Sequence, residues 1–222
     1  MIGSRSIVVR GVTRRFGSIW VLRGVNAAFA EGSITVIYGA NGAGKSTLMG
    51  IVGGLVQPSG GSVVWEPGGI PVADRRDAVG WVGHESCSYR ELTVRENVAL
   101  SAAVHGVNKS EIDRCLERVG AVGIADRRVG TLSRGQKQRV ALARGIVHAP
   151  NLLLLDEPFT GLDARGSRML VNVLCEERDR GAIVVVVSHD LDLADQISAD
   201  VLWLERGRSK VAKPEAAPTS NA

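Results

Sequence analysis

The chain has 222 residues, 45% of them hydrophobic, with 27 basic against 23 acidic side chains and a formal charge of +4. That length suits one domain with a sizeable core, and a small charge excess spread along the chain, without a polybasic tract, points to no nucleic-acid partner. The longest apolar runs, residues 152–155 and 182–187, fall far short of the roughly 18 residues that a bilayer-crossing helix needs.

The opening residues show no apolar core followed by a small-residue cleavage site, so a cytoplasmic location is expected. Cys87, Cys115 and Cys175 are too far apart to read as a metal site or a disulfide framework, and are expected as reduced thiols.

In chain order, residues 6–10 and 20–29 alternate apolar and polar side chains around Phe16-Gly17, which predicts an N-terminal antiparallel β lobe. A β-branched run at 33–38 predicts a strand, the glycine-rich stretch after it a loop, and residues 46–52 a helix. A turn at 58–61 precedes short strands at 62–65 and near 79–82. Val94, Val98, Leu100, Ile112, Leu116 and Val119 have helical spacing with a break at 106–108, predicting a helical subdomain inserted at about residues 85–150. A helix over 133–148, stopped by Pro150, leads to a buried-type strand at 152–155, a helix at about 165–180 and a strand at 182–187. This alternation predicts an α/β fold with a parallel sheet. From Arg208 the composition turns to Lys, Pro, Ala and Ser, so a disordered tail at 208–222 is expected after a domain covering 1–207.

Gly39-Ala-Asn-Gly-Ala-Gly-Lys-Ser46 satisfies the phosphate-loop pattern. Its glycines let backbone N–H groups turn toward phosphate oxygens, the following helix aims its positive end at them, and Lys45 can reach the β- and γ-phosphates. Gly39, Asn41, Gly42, Gly44, Lys45, Ser46 and Thr47 are the candidate ATP contacts, with the Ser46 hydroxyl a candidate ligand for Mg²⁺. A turn that fits by chance would occur in about 1% of such chains. A dinucleotide-binding loop would need a different glycine order.

The run at 152–155 delivers Asp156 and Glu157 to a strand end, where open α/β sheets bind their ligands. Two carboxylates there can divide labour, Asp156 holding Mg²⁺ and Glu157 orienting and deprotonating the attacking water. The bland alternative is a strand ending in a solvated acidic turn. Ser133 and Gln136, three apart before an amphipathic helix, form a capping box whatever else they do.

Leu132-Ser-Arg-Gly-Gln136, continued by the helix to Arg144, resembles the signature of the ABC ATPases, with Arg134 where the family has the first of two glycines. The resemblance runs from about residue 6 to about residue 207 and implies a P-loop NTPase core. It implies that two subunits sandwich two ATP molecules, each between one subunit's phosphate loop and the other's Ser133, Gly135 and Gln136. Phe16 is similar to the aromatic that stacks on adenine, although as a strand residue it also reads as core. The segment ending at Asp163 is similar to the loop that touches the opposite subunit. Ser188-His189-Asp190 is similar to the switch whose His contacts the γ-phosphate. His84 stands where most of the family has Gln; it is either a partner near Mg²⁺ or a solvent-facing loop residue.

Gly83-His-Glu85 and the string from Tyr89 to Asn97 resemble the haem-exporter ATPases of cytochrome c biogenesis, which implies export. The expected partners are a membrane-spanning permease subunit and a second ATPase subunit in a homodimer, peripheral at the cytoplasmic face of the cell membrane. The alternative is a soluble ABC ATPase of a non-transport assembly such as iron–sulfur cluster biogenesis. A phosphate-loop GTPase fits poorly, since Asn108-Lys109-Ser110-Glu111 carries Glu where a guanine motif needs Asp.

Overall fold

A computed structural model describes residues 5–83 and 88–211. The chain opens with the long strands β1 (Ser6–Phe16) and β2 (Ile19–Ala30), then β3 (Ile34–Tyr38), helix α1 (Lys45–Val52), β4 (Gly60–Glu66), β5 (Ile70–Pro71) and β6 (Val79–Val82). Three helices follow: α2 (Val94–Val104), α3 (Ser110–Arg118) and α4 (Arg134–Ile146). The chain then alternates through β7 (Leu152–Asp156), α5 (Ala164–Asp179), β8 (Ile183–Val187), α6 (Leu193–Gln196), β9 (Asp200–Glu205) and β10 (Arg208–Val211).

The strands form two sheets. An antiparallel sheet has the order β2-β1-β4-β5, and a six-stranded sheet the order β10-β9-β3-β8-β7-β6. In the second, β6, β7, β8, β3 and β9 run parallel and only β10 is antiparallel. Central strands of a parallel sheet are covered on both faces, which explains why β3 and β8 are buried at every residue and why four leucines open β7.

Period-two alternation sorts their side chains between two cores. Ile34, Val36, Tyr38, Leu153, Leu155, Val184 and Val186 pack with residues of α2–α5, while Ile37, Leu152, Leu154, Ile183, Val185 and Val187 pack with α1 and the antiparallel sheet. Helix α4 lies directly on β6: a Cβ at Gly80 would sit 2.2 Å from the Gly145 carbonyl oxygen, a contact that only glycine permits. The helical segment is also tied to α5. Glu177 of α5 is fully buried and accepts from Arg118 of α3 (2.7 Å) and Arg180 (2.7 Å), while Arg118 also donates to Glu176 (2.8 Å).

The disorder expected from Arg208 does not hold for the first four residues of that segment. Residues 208–211 form β10, paired with β9, and Ser209 Oγ donates to the Asn26 carbonyl (2.8 Å). A short polar edge strand has no apolar pattern to betray it, and charged edges are how sheets avoid further pairing. The remainder of the expected tail, 212–222, lies outside the described residues.

Candidate active site

Strand β3 ends at Tyr38, and the chain turns through the glycine-rich loop into α1. Gly39 passes so close to β9 that a Cβ there would lie 2.2 Å from the Leu204 carbonyl oxygen. Lys45, the first residue of α1, is only 7% exposed, and its ammonium donates to the carbonyls of Gly39 (2.7 Å) and Ala40 (3.2 Å). A cation is thus pinned inside a loop at the positive end of a helix that has no acidic residue in its first turn, an arrangement suited to polyanions.

Because β7 and β8 are parallel neighbours in register, Asp156 opposite Val187, the residues that follow each strand emerge side by side. Glu157 and His189, thirty-two positions apart in the chain, meet this way: Glu157 Oε1 lies 2.8 Å from His189 Nε2. Glu157 adopts a left-handed φ of 51°, a backbone state that costs a non-glycine residue about 1 kcal/mol or more and that concentrates at functional sites.

One cavity of about 560 Å³ gathers these groups. Asn41, Gly42, Gly44, Lys45, Ser46 and Thr47 line it from the loop and α1; Asp156, Glu157 and His189 line it from the strand ends. Val21 and Val187 complete the lining; Val21 carries no motif that would mark it, because its place depends on how β2 folds over the loop. Phe16 is not among the lining residues. It is half-exposed at the end of β1, with the Arg14 guanidinium 4.4 Å above its ring. Gly39 takes part through the carbonyl that holds Lys45. His84 lies outside the described residues.

A second cavity, of about 550 Å³, forms around the start of α4. Gln136 N–H donates to Ser133 Oγ (3.3 Å) and Ser133 N–H donates to Gln136 Oε1 (3.1 Å), the reciprocal capping box. Ser133, Gly135, Gln136 and Asp163 all line this cavity, with Arg134 and Arg139 adding positive charge. Asp163 also caps α5, accepting from Gly166 N–H (2.7 Å). The two cavities have no lining residue in common.

A model of the ABC transporter family matches residues 22–160. Among curated proteins, the aliphatic sulfonates import ATP-binding protein SsuB of Pseudomonas fluorescens is 36% identical over 217 residues, covering 96% of this chain and 78% of that protein. The sulfate/thiosulfate import ATP-binding protein CysA of Mycobacterium tuberculosis is 37% identical over 213 residues, 91% of this chain but only 60% of CysA, so the chain spans about three fifths of that relative. Among solved structures, the dimeric post-hydrolysis state of the ATP-binding cassette MJ0796 bound to ADP and Pi superposes with a TM-score of 0.83 at 27% identity, covering 92% of this chain and 96% of that one.

These relatives correct one expectation. They carry the names of importers, so the export direction and the haem-exporter kinship read from two loop strings gain no support from them. The nucleotide motifs are common to the whole family, and one of the strings falls partly in residues 84–87, outside the described structure. Family match and fold agree: the chain belongs to the ABC transporter family and is an ATP-binding, ATP-hydrolysing subunit of that kind.

Proposed function

We propose that two copies of this chain close over two ATP molecules, each held by the phosphate-loop cavity of one copy and the signature cavity of the other, and that the closure drives a separate membrane-spanning subunit. The observation that carries this reading is the grouping of cation, carboxylates and imidazole in one cavity while Ser133, Gly135, Gln136 and Asp163 line another. One copy holds both halves but not facing one nucleotide.

In this reading Lys45 and the loop amides bind the β- and γ-phosphates. The Ser46 hydroxyl and the Asp156 carboxylate, hard oxygen donors on the same cavity wall, fit Mg²⁺, which when bound would neutralise phosphate charge. Glu157 orients a water so that its oxygen attacks the γ-phosphorus in line. The bond from that phosphorus to the bridging oxygen breaks, ADP leaves with the electron pair, and the water's proton passes to Glu157. His189, in contact with Glu157, steadies the carboxylate and faces the γ-phosphate. The capped start of α4, with Arg134 beside it, adds positive potential from the opposite copy.

The test is Glu157→Gln. ATP binding is retained while turnover falls by about 10²- to 10⁴-fold, the usual weight of a general base, and ATP-dependent dimers accumulate. Turnover near that of the unaltered chain would remove Glu157 from its role.

The partner and cargo belong to the same proposal. Among the described residues no helix is long and apolar enough to cross a membrane; the kinship with the ABC transporter family is what supports a separate permease and action from the cytoplasmic face. The importer names of SsuB and CysA favour uptake; the string from Tyr89 to Asn97 favours haem export as the second reading. Purifying the tagged chain from solubilised membranes and identifying the bound membrane protein separates the two, and a purely soluble complex would argue against both.

A further inference from the structure

Tyr38 is the last residue of β3, directly before the phosphate loop, and its side chain is 2% exposed on the face of the sheet that packs against the helices. A phenol buried there must find hydrogen-bond partners. It finds them more than 150 positions later in the chain. Its hydroxyl donates to the Asp190 carbonyl (2.8 Å), with the Leu191 carbonyl at 3.3 Å, and accepts from the Ala194 N–H (3.3 Å). The ring rests against Trp203, its partner in the β3–β9 register, at 5.2 Å between centroids. Burial raises the phenol's pKa above its ordinary value, so the hydroxyl keeps its proton and remains a donor.

The three backbone groups it satisfies all lie in the segment that follows His189, the Asp190 and Leu191 carbonyls in the turn and the Ala194 N–H in the first turn of α6. That turn is braced from within, Asp190 N–H donating to Ser188 Oγ (3.1 Å) and Asp192 N–H to Asp190 Oδ1 (3.1 Å). Such bonds set the turn's shape but do not fix it to the rest of the molecule. Beside the Ser188 N–H bond to the Ile37 carbonyl (3.4 Å) and the burial of Leu193 and Ala194, Tyr38 adds a side-chain attachment to three backbone groups, and a Phe at the same place would fill the same space without it.

We propose that Tyr38 is a positioning residue for His189: its hydroxyl moors the turn after β8 to the strand that ends in the phosphate loop, holding the imidazole against Glu157. This inference rests on the role given to His189 in the proposed hydrolysis. Reactive groups held within about 0.5 Å lose large rate factors when their support loosens, although the substrate still binds.

The test compares Tyr38→Phe, His189→Ala and the double variant in steady-state ATPase assays on the full chain. Tyr38→Phe lowers kcat about tenfold with the KM for ATP within about twofold of the unaltered value. The double variant is no slower than His189→Ala alone, because the mooring acts through the imidazole. Amide hydrogen exchange in residues 188–194 becomes faster in Tyr38→Phe and stays unchanged in β7. An unaltered kcat, unaltered exchange in that turn, or a loss that adds in full to that of His189→Ala would overturn the inference. A His189→Ala variant with normal kcat overturns the role of His189 and the inference with it, an outcome told apart by which variant is silent.

Discussion

A histidine at 148 shows how one side chain's surroundings set its proton affinity. The ring stacks face to face on His105, with centroids 3.8 Å apart and an interplanar angle of 9°, and its Nε2 lies 3.3 Å from the Val79 carbonyl. Burial, then the neighbouring His105 and the charge of Arg180, push its pKa down from 6.5 to about 4, against an opposing pull from the Val79 backbone bond and, more weakly, from Asp77. The unfolded chain therefore takes up a proton between pH 6.5 and about 4 that the folded chain refuses. The contribution of this group to stability is complete above pH 6.5 and is lost as pH falls through that window, with no further change below it. Allowing for the ring's partial exposure to water, the loss is on the order of 2 kcal/mol. Urea unfolding of the unaltered chain and His148→Asn across pH 7 to 4 checks this: the gap between the two curves should close on acidification, and a constant gap would count against it.

Among the elements, α4 does two things at its two ends. Its first turn carries Ser133, as cap, and Gly135, and its last turns bring Gly145 against Gly80 of β6. A larger residue at Gly80 lifts the helix off the sheet, since the nearest atom to a Cβ there is a backbone oxygen and cannot step aside; a Cβ at Gly145 would meet the Val82 Cγ2 methyl at 2.9 Å. Gly80→Ala should cost about 1–3 kcal/mol, the usual penalty of overpacking, seen as a lower urea midpoint. Since Ser133 and Gly135 stand at the other end of the same helix, the variant should also weaken the ATP-dependent dimerisation proposed above, though residue 80 is remote from them in sequence. The capping box at Ser133 was legible from the spacing of two residues, whereas the glycine contact that seats the other end was not. Caps are local patterns, while Gly80 and Gly145 meet only after the sheet and the helix have been assembled. The same contrast covers β3, β7 and β8, plain as apolar runs, against β10, a polar edge strand, and against Val21 and Tyr38, whose partners come from elsewhere in the fold.

At the scale of the whole molecule, the parallel sheet separates two cores and holds the phosphate loop, Asp156, Glu157 and His189 together at the carboxyl ends of its strands. The helical segment is fastened to that body through Arg118 and the buried Glu177. Removing Arg118 leaves a buried carboxylate with fewer counter-charges, and Arg118→Ala should lower stability by up to about 3 kcal/mol, measured by denaturant unfolding. Much of this architecture could be read from motif order along the chain. The resemblance already implied that the phosphate loop and Ser133, Gly135 and Gln136 of one chain act apart; what could not be read was the lining of the two cavities in which they fall, Val21 in one and Arg139 in the other.

That separation means that damage to one half need not be damage to the other. A chain with Lys45→Ala and a chain with Ser133→Ala should each be inactive alone, one lacking the loop cation and one lacking the capping hydroxyl. Paired with each other, both lesions fall on the same nucleotide and the opposite site is made entirely of unaltered parts. An equal mixture allowed to exchange subunits should regain roughly a quarter of the sites by random pairing. Two silent proteins that hydrolyse ATP when combined would be the signature of a shared catalyst, and a mixture as inert as its components would show that each chain works alone.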